Sequence, residues 1–359
     1  MSKQHYIIPI FVPHEGCPHN CVFCNQNAIT GSENKVDGAF VRKTVEDYLK
    51  TIGNTKAIVE VSFFGGTFTA IDIKKQNELL TVAKEYKDSG RIEFIRLSTR
   101  PDYIDDNILN NLKKFGVDII ELGVQSLSDK VLTMSGRGHT AKDVYDASKK
   151  IKQYGFTLGH QIMPGLPGDD YKKDIDTVNQ VINIKPDICR IYPSLVIKDT
   201  PMEEMYIKGT YKPYSLDKAV NISKELLGRL QSANIKVIRV GLQPTEEINI
   251  GKELVAGPFH PAFKELVMAS IYRDIICKNI PNNYSGHVVI EINSKEISKL
   301  YANKKQFFNK IIDNYKKCDF KVVQNDLIDR SHLVIKVNGK DILLSMQKYL
   351  GSQYKRGNQ

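Results

Sequence analysis

Apolar and polar positions along the chain alternate between two kinds of segment. Short apolar, β-rich runs recur at Tyr6 to Val12, Ala57 to Phe64, Phe94 to Thr99 and Asp118 to Val124. They continue at Thr157 to Met163, Asp187 to Tyr192 and Ile235 to Val240. Runs of this length and composition predict buried strands. Between them the apolar residues fall three or four apart, as in Val41, Val45 and Leu49, or Ile104, Ile108, Leu112 and Phe115. Val144, Ala147, Ile151 and Tyr154 form a further stripe, a helix begins near Tyr171, and Ala219, Ile222, Leu226 and Leu230 form another. That spacing predicts helices, and Gly116 and Gly155 stand where two of them should stop. Strand–helix units in series imply a parallel sheet with right-handed crossovers. Six such units give an α/β fold, a partial (β/α)6 TIM-like barrel; an open doubly wound sheet has the same periodicity.

The rhythm changes after Val240. Gly257-Pro258-Phe259-His260-Pro261 is a turn-rich break, followed by a helical stretch from Ala262 to Cys277. Val288, Ile290 and Ile292 then alternate as a half-buried strand, and Ile297 through Tyr315 reads as a helix. Asn338-Gly339 between two apolar runs is a hairpin signal. The expected organisation is a core over 1–250, a helical connecting extension over 251–285, and a small basic β-α-β-β module over 286–359.

Composition narrows the class. Of 359 residues, 41% are apolar and 26% charged, the balance of a globular protein. No apolar stretch is long enough to span a bilayer and the N-terminus lacks a signal-peptide pattern, so the expected compartment is the cytosol, with no membrane partner. The net charge is +10, and the last 74 residues hold 14 Lys or Arg against 7 Asp or Glu. A basic terminal module suits phosphate-rich partners; a lysine-rich solvated face gives the same count.

Chemistry enters with three of the six cysteines. Cys17, Cys21 and Cys24 stand in Gly16-Cys17-Pro18-His19-Asn20-Cys21-Val22-Phe23-Cys24. Three thiolates at C-x3-C-x2-C spacing can hold three corners of an iron–sulfur cube and leave the fourth iron open. A zinc site completed by His14 or His19 is the alternative. The loop follows the C-terminal end of the first strand, where ligand loops of parallel α/β folds lie. Cys189, Cys277 and Cys318 are scattered and read as packing residues in a reducing compartment.

This spacing resembles the defining motif of the radical S-adenosylmethionine (SAM) superfamily. The resemblance implies a [4Fe-4S] cluster on Cys17, Cys21 and Cys24, SAM on the open iron, an external one-electron reductant, and a 5′-deoxyadenosyl radical. Other strand ends carry matching residues. Gly65-Gly66 follows the second strand, where a Gly-Gly loop of that superfamily binds the methionine ammonium group. Thr99 and Arg100 end the third strand, and Arg100 could pair with a carboxylate or merely anchor the next helix. Gln125 ends the fourth strand, and Arg137 in the loop beyond is a candidate for the SAM carboxylate. Gln161 ends the fifth, within reach of ribose hydroxyls, and Met163 offers apolar contact to adenine. Tyr192 and Lys198 stand where substrate would enter, Lys198 as a partner for a phosphate.

From Phe94 to Gln243 the chain is similar, more narrowly, to the catalytic subunit of Elongator, the tRNA wobble-uridine modifying complex. Ser98-Thr99-Arg100-Pro101-Asp102-Tyr103, Glu121-Leu122-Gly123-Val124-Gln125-Ser126, Arg137-Gly138-His139-Thr140, Met163-Pro164-Gly165-Leu166-Pro167 and Tyr192 through Thr200 carry that likeness. It implies RNA, with tRNA first, as substrate. The cysteine loop here is more compact than in that family, and the residues after the core are too few for its acetyltransferase domain. Gly-Val-Gln-Ser and Gly-Leu-Pro-Gly also resemble oxygen-independent coproporphyrinogen oxidase, which implies a small-molecule alternative such as a porphyrin. A non-catalytic, cluster-containing RNA-binding protein is the third reading.

Overall fold

The computed structural model describes residues 4–12, 17, 19–25, 36–53, 57–242, 244, 249 and 251–354. They fall into two compact units, one of residues 1–213 with 244–257 and the other of 214–243 with 258–359. The helix and strand expected between Ala219 and Val240 are present at Leu216–Ser232 and Lys236–Val240, within the residue range of the second unit.

The first unit opens with β1 (His5–Val12), α1 (Gly38–Thr51), β2 (Ile58–Gly65), α2 (Ile73–Asp88), β3 (Phe94–Thr99) and α3 (Asp106–Lys114). It continues through β4 (Ile119–Gln125), α4 (Asp129–Met134), α5 (Ala141–Gln153), β5 (Thr157–Ile162), α6 (Tyr171–Ile184), β6 (Ile188–Ile191), β7 (Val196–Ile197) and α7 (Pro201–Ile207). Side-chain oxygens of Asp37, Asp72, Asp105, Thr140 and Asp170 accept from backbone N–H groups of the first turns of α1, α2, α3, α5 and α6. Such caps fix where each helix leaves its loop. The sequence reading contained neither the short α4 and α7 nor β7.

Strands β1 to β6 lie side by side in sequence order, and every pair is parallel. A doubly wound sheet reverses its strand order at a switch point. Sequential order with right-handed crossovers instead keeps all the helices on one face, as a partial barrel requires. On that face Ile8, Ile10, Val61, Leu97, Ile120, Leu122 and Leu158 are fully buried. His160 points the same way, and its ring meets Ser148 Oγ of α5 at 2.9 Å.

The opposite face is unusual. Barrel interiors are ordinarily filled by branched apolar side chains, but here one charged residue per strand is buried: Glu60, Arg96, Glu121 and Arg190. They interlock across the sheet. Arg96 reaches Glu60 Oε1 through Nε at 2.9 Å and Glu121 Oε1 through Nη1 at 2.6 Å. Arg190 Nε donates to both oxygens of Glu121 at 3.0 Å, and its Nη1 donates to Tyr192 Oη at 3.1 Å. His5 Nε2 and Ser62 Oγ complete Glu60, each at 3.0 Å. The row runs from β1 through β4 to β6, stepping over β5 at Gly159. A Cβ there would stand 2.6 Å from Glu121 Cγ.

The second unit holds α8 (Leu216–Ser232), β8 (Lys236–Val240), α9 (Phe263–Asn279), β10 (Gly286–Ile292), α10 (Ala302–Asn314), β11 (Cys318–Gln324), β12 (His332–Val337), β13 (Lys340–Ser345) and α11 (Met346–Tyr354). The first unit's β9 (Leu254–Ala256) pairs antiparallel with β7. In the second unit the sheet order is β11-β10-β12-β13, with β10 and β11 parallel and the others antiparallel. The hairpin at Asn338-Gly339 is present, with Val337 paired to Lys340. The β-α-β-β expectation is corrected to β-α-β-β-β with a closing helix. Cys318–Gln324 escaped notice although it alternates, with exposed Asp319 and Lys321 between half-buried Cys318, Phe320 and Val322 on an edge strand.

Two outcomes follow. Glu121→Leu leaves Arg96 and Arg190 buried without their shared partner, and its urea unfolding free energy should fall by about 3–5 kcal/mol. A loss below about 1 kcal/mol contradicts the interlocked row. Burial pushes the His160 pKa from its ordinary 6.5 down to about 3. The folded state therefore keeps the ring neutral while the unfolded chain binds a proton. Its contribution is complete above pH 6.5 and is lost as pH falls from there toward 3. In urea titrations between pH 6 and 4, His160→Gln should remove about 1.4 kcal/mol per pH unit of the slope of stability against pH. An unchanged slope contradicts the assignment.

Candidate functional site

The C-terminal ends of β1 to β6 share one edge of the sheet, and the residues singled out in the sequence gather along it. Val12, last in β1, is in register with Gly65, last in β2. Gly65 has φ +109°, and a Cβ there would sit 2.7 Å from the Val12 carbonyl oxygen, so this turn excludes larger residues. Gly66 N donates to the same oxygen at 2.9 Å. The described cysteine residues follow directly, with Cys21 buried and Cys17 and Cys24 half-buried. All three thiols are free of disulfides.

A second loop, between α4 and α5, cups the first. Ser135 O accepts from Val22 N at 3.1 Å, and Val22 O accepts from Met202 N at 2.8 Å. Val22 and Phe23 pack against Val196, Met202 and Tyr211. Gly138 lies under the His19 ring so closely that a Cβ would come within 2.4 Å of it. The His19 ring in turn stands 3.9 Å from Asp102. Arg137, buried in the middle of this loop, donates from Nη1 to Cys21 Sγ at 3.3 Å and from Nη2 to the Gly123 carbonyl at 2.7 Å. Its Nε is buried with no hydrogen-bond partner.

Arg100 does not face open space. Its guanidinium is buried, makes a two-pronged pair with Asp102 at 3.0 and 2.8 Å, and donates to the Arg137 carbonyl. The Thr99 hydroxyl is likewise committed, 2.6 Å from Thr69 Oγ1. Both residues thus brace the loops around the edge. Burial, reinforced by Arg137 and Arg100, pushes the His139 pKa down to about 3, so that ring is neutral.

Gln125 takes a left-handed backbone, φ 63°, at a shift of register between β4 and β5. Its Oε1 accepts from Gln161 Nε2 at 3.4 Å. Gly123 opens the space they need: a Cβ there would lie 3.1 Å from Gln125 Nε2 and 3.2 Å from Arg137 Nη2. Met163 follows, tied by its N–H to the Gln125 carbonyl at 2.8 Å. Tyr192 stands just past β6 on Arg190, and Lys198 is exposed, with its carbonyl held by Asn25 Nδ2 at 3.2 Å. Cys17, Cys21, Cys24, Gly65, Gly66, Gln125, Arg137, Gln161, Met163, Tyr192 and Lys198 thus share one end of the sheet.

Sequence reasoning missed the buried row of charges and Thr67, whose Oγ1 donates to Cys17 Sγ at 3.8 Å. The signal for the row was present. Glu60, Arg96, Glu121 and Arg190 are each a lone charge inside an apolar strand run, an arrangement that calls for a buried partner.

The donor set suits an iron–sulfur cube. Three cysteines outside any disulfide lie on one short loop, Cys17 Sγ accepts from Thr67 and lies 3.6 Å from the His19 carbonyl, and Cys21 Sγ accepts from Arg137. Among the described residues no three His, Cys, Asp or Glu side chains converge on the position of a single ion. His14, the candidate zinc ligand, lies outside the described residues. The described helices include none long and apolar enough to cross a membrane.

Comparison with known proteins agrees with this arrangement. Residues 11–181 match the radical SAM superfamily model and residues 186–273 the radical SAM C-terminal domain model. A tRNA uridine(34) acetyltransferase from Methanocaldococcus jannaschii is 29% identical over 255 residues, 60% of this chain and 47% of that protein. Elongator complex protein 3 from Saccharomyces cerevisiae is 28% identical over 201 residues, 50% of this chain and 36% of that one. The chain therefore spans about half or less of the length of these relatives. The solved structure of Methanocaldococcus infernus Elp3 with an N-terminal deletion superposes with a TM-score of 0.60 at 22% identity, covering 77% of this chain and 64% of that one. That likeness supports the partial-barrel fold. With a cysteine loop at the end of β1 and two adjoining domain models over most of residues 11–273, the chain is an enzyme of the radical SAM superfamily, similar in its core to the Elongator catalytic subunit.

Proposed function

We propose that this enzyme modifies RNA, with tRNA as the first candidate, by radical chemistry at the C-terminal edge of the β1–β6 sheet. The observation that carries the reading is the group of polar side chains Gln125, Arg137 and Gln161 at that edge next to the cysteine loop, in a chain whose relatives include a tRNA uridine(34) acetyltransferase. When bound, a [4Fe-4S] cluster and SAM supply a 5′-deoxyadenosyl radical that takes a hydrogen atom from substrate.

Cys17, Cys21 and Cys24 hold the cluster in this reading. The Gly65-Gly66 turn lets backbone approach the methionine ammonium group, since neither residue interposes a side chain. Arg137 Nε, the one donor of that guanidinium with no hydrogen-bond partner, suits the methionine carboxylate. Gln125 and Gln161 present amides to ribose hydroxyls, and Met163 offers a polarizable apolar surface to adenine. Tyr192 and Lys198 face incoming substrate, Lys198 as a mobile point charge for phosphate. An external reductant delivers the electron, and both the free thiols and the RNA substrate fit the cytosol.

The basic residues of the second unit add a long-range attraction for polyanions. The acyl chemistry that names the archaeal relatives is not part of the proposal, because the match spans under half of that acetyltransferase.

Nucleoside mass spectrometry of total tRNA tests the reading. A strain lacking the gene should lose a modified nucleoside, regained with the wild-type gene and not with Cys21→Ala. An unchanged nucleoside profile overturns the RNA substrate.

A further inference from the structure

Arg137 stands against Cys21, a placement for which a SAM-binding arginine alone has no need. Its Nη1 is 3.3 Å from Cys21 Sγ, and the residue is 6% exposed. The guanidinium is fixed from several sides. Nη2 is bonded to the Gly123 carbonyl, and the Arg137 backbone carbonyl accepts from Arg100, itself clamped by Asp102. Gly136 and Gly138 both have positive φ, +62° and +75°, and lie against Asn20 and His19 of the cysteine loop. A Cβ at Gly136 would approach the Asn20 carbonyl at 3.2 Å. The loop that carries Arg137 is therefore fitted to the cysteine loop on both sides of the contact.

We propose that Arg137 is a positioning residue that raises the reduction potential of the cluster through an N–H···S bond to the Cys21 thiolate. Reduction adds one electron to the cluster from an external reductant, with no bond made or broken. The added negative charge spreads onto the thiolate sulfurs, so a charged donor on one sulfur stabilises the reduced form more than the oxidised form. Hydrogen bonds to ligand sulfur and local charge are among the main determinants of such potentials. Burial strengthens the effect, because little solvent screens the guanidinium from the sulfur. The inference rests on Cys21 being a cluster ligand, as proposed above.

The test is a mediated redox titration of anaerobically reconstituted full-length protein without SAM, followed by electron paramagnetic resonance. Wild type, Arg137→Lys and Arg137→Gln are compared at measured iron and sulfide content. Arg137→Gln removes the charge and should lower the reduced-to-oxidised ratio at the wild-type midpoint about tenfold, a shift of about 59 mV to more negative potential for one electron. Arg137→Lys keeps the charge but loses the fixed fork, and should shift less. Equal midpoints in all three proteins overturn the proposal. A second measurement needs no variant. Wild type grown on 15N-arginine should show a 15N coupling to the reduced cluster in pulsed spectra, and its absence overturns the proposal. Wild-type protein that assembles no cluster would instead strike at the cysteine assignment, a distinguishable failure.

Discussion

The interlocked row Glu60, Arg96, Glu121 and Arg190 is the constraint around which the first unit is arranged. Each is one residue of a strand, and each is desolvated by its neighbours. A buried charge without a partner is far more expensive than a missing methylene, so the register of adjacent strands is tied to the pairing of these side chains. Glu60, Arg96 and Glu121 lie several residues before their strand ends, and Arg190 stands next to the last residue of β6. Farther along the same face, Ser62, Ser98, Gly123 and Gln161 follow at the period of two, while the rings of Phe11 and Phe64 stand side by side near the ends of β1 and β2. A barrel packed with branched apolar residues would close this space. The ionic row keeps it open toward the edge where the cysteine loop sits.

Around that edge, positive charge is held by backbone as much as by side chains. Arg100 reaches Asp102 and the Arg137 carbonyl, and Arg137 reaches Gly123 and Cys21. Guanidinium groups suit this task because the planar fork satisfies two acceptors at once. The glycines do the complementary work. Gly65 admits the Val12 carbonyl, Gly123 admits Gln125 and Arg137, and Gly138 admits the His19 ring. Four strand ends and two loops are thereby brought to one place with little room for larger residues.

Much of this was legible in the sequence, for identifiable reasons. Buried parallel strands announce themselves as apolar runs, and all six strands of the first unit's sheet fall where those runs lie. Cys17, Cys21 and Cys24 were legible because thiolate ligands need a particular spacing within one loop. What one loop does to another was not. Thr99 and Arg100 read as ligand contacts from their place at a strand end, but nothing local announced their pairing with Thr69 and Asp102, and Arg100 Nη1 is buried without a hydrogen-bond partner. The Arg137–Cys21 contact joins residues 116 apart, and no local pattern encodes it. The edge strand Cys318–Gln324 was legible and passed over: Asp319 and Lys321 alternate with Cys318, Phe320 and Val322.

The most direct test of the account is SAM cleavage by the purified protein. Anaerobic reconstitution with iron and sulfide, followed by dithionite and SAM, should give a cluster signal and 5′-deoxyadenosine, both lost in Cys21→Ala. A colourless protein that binds zinc and leaves SAM intact would contradict it.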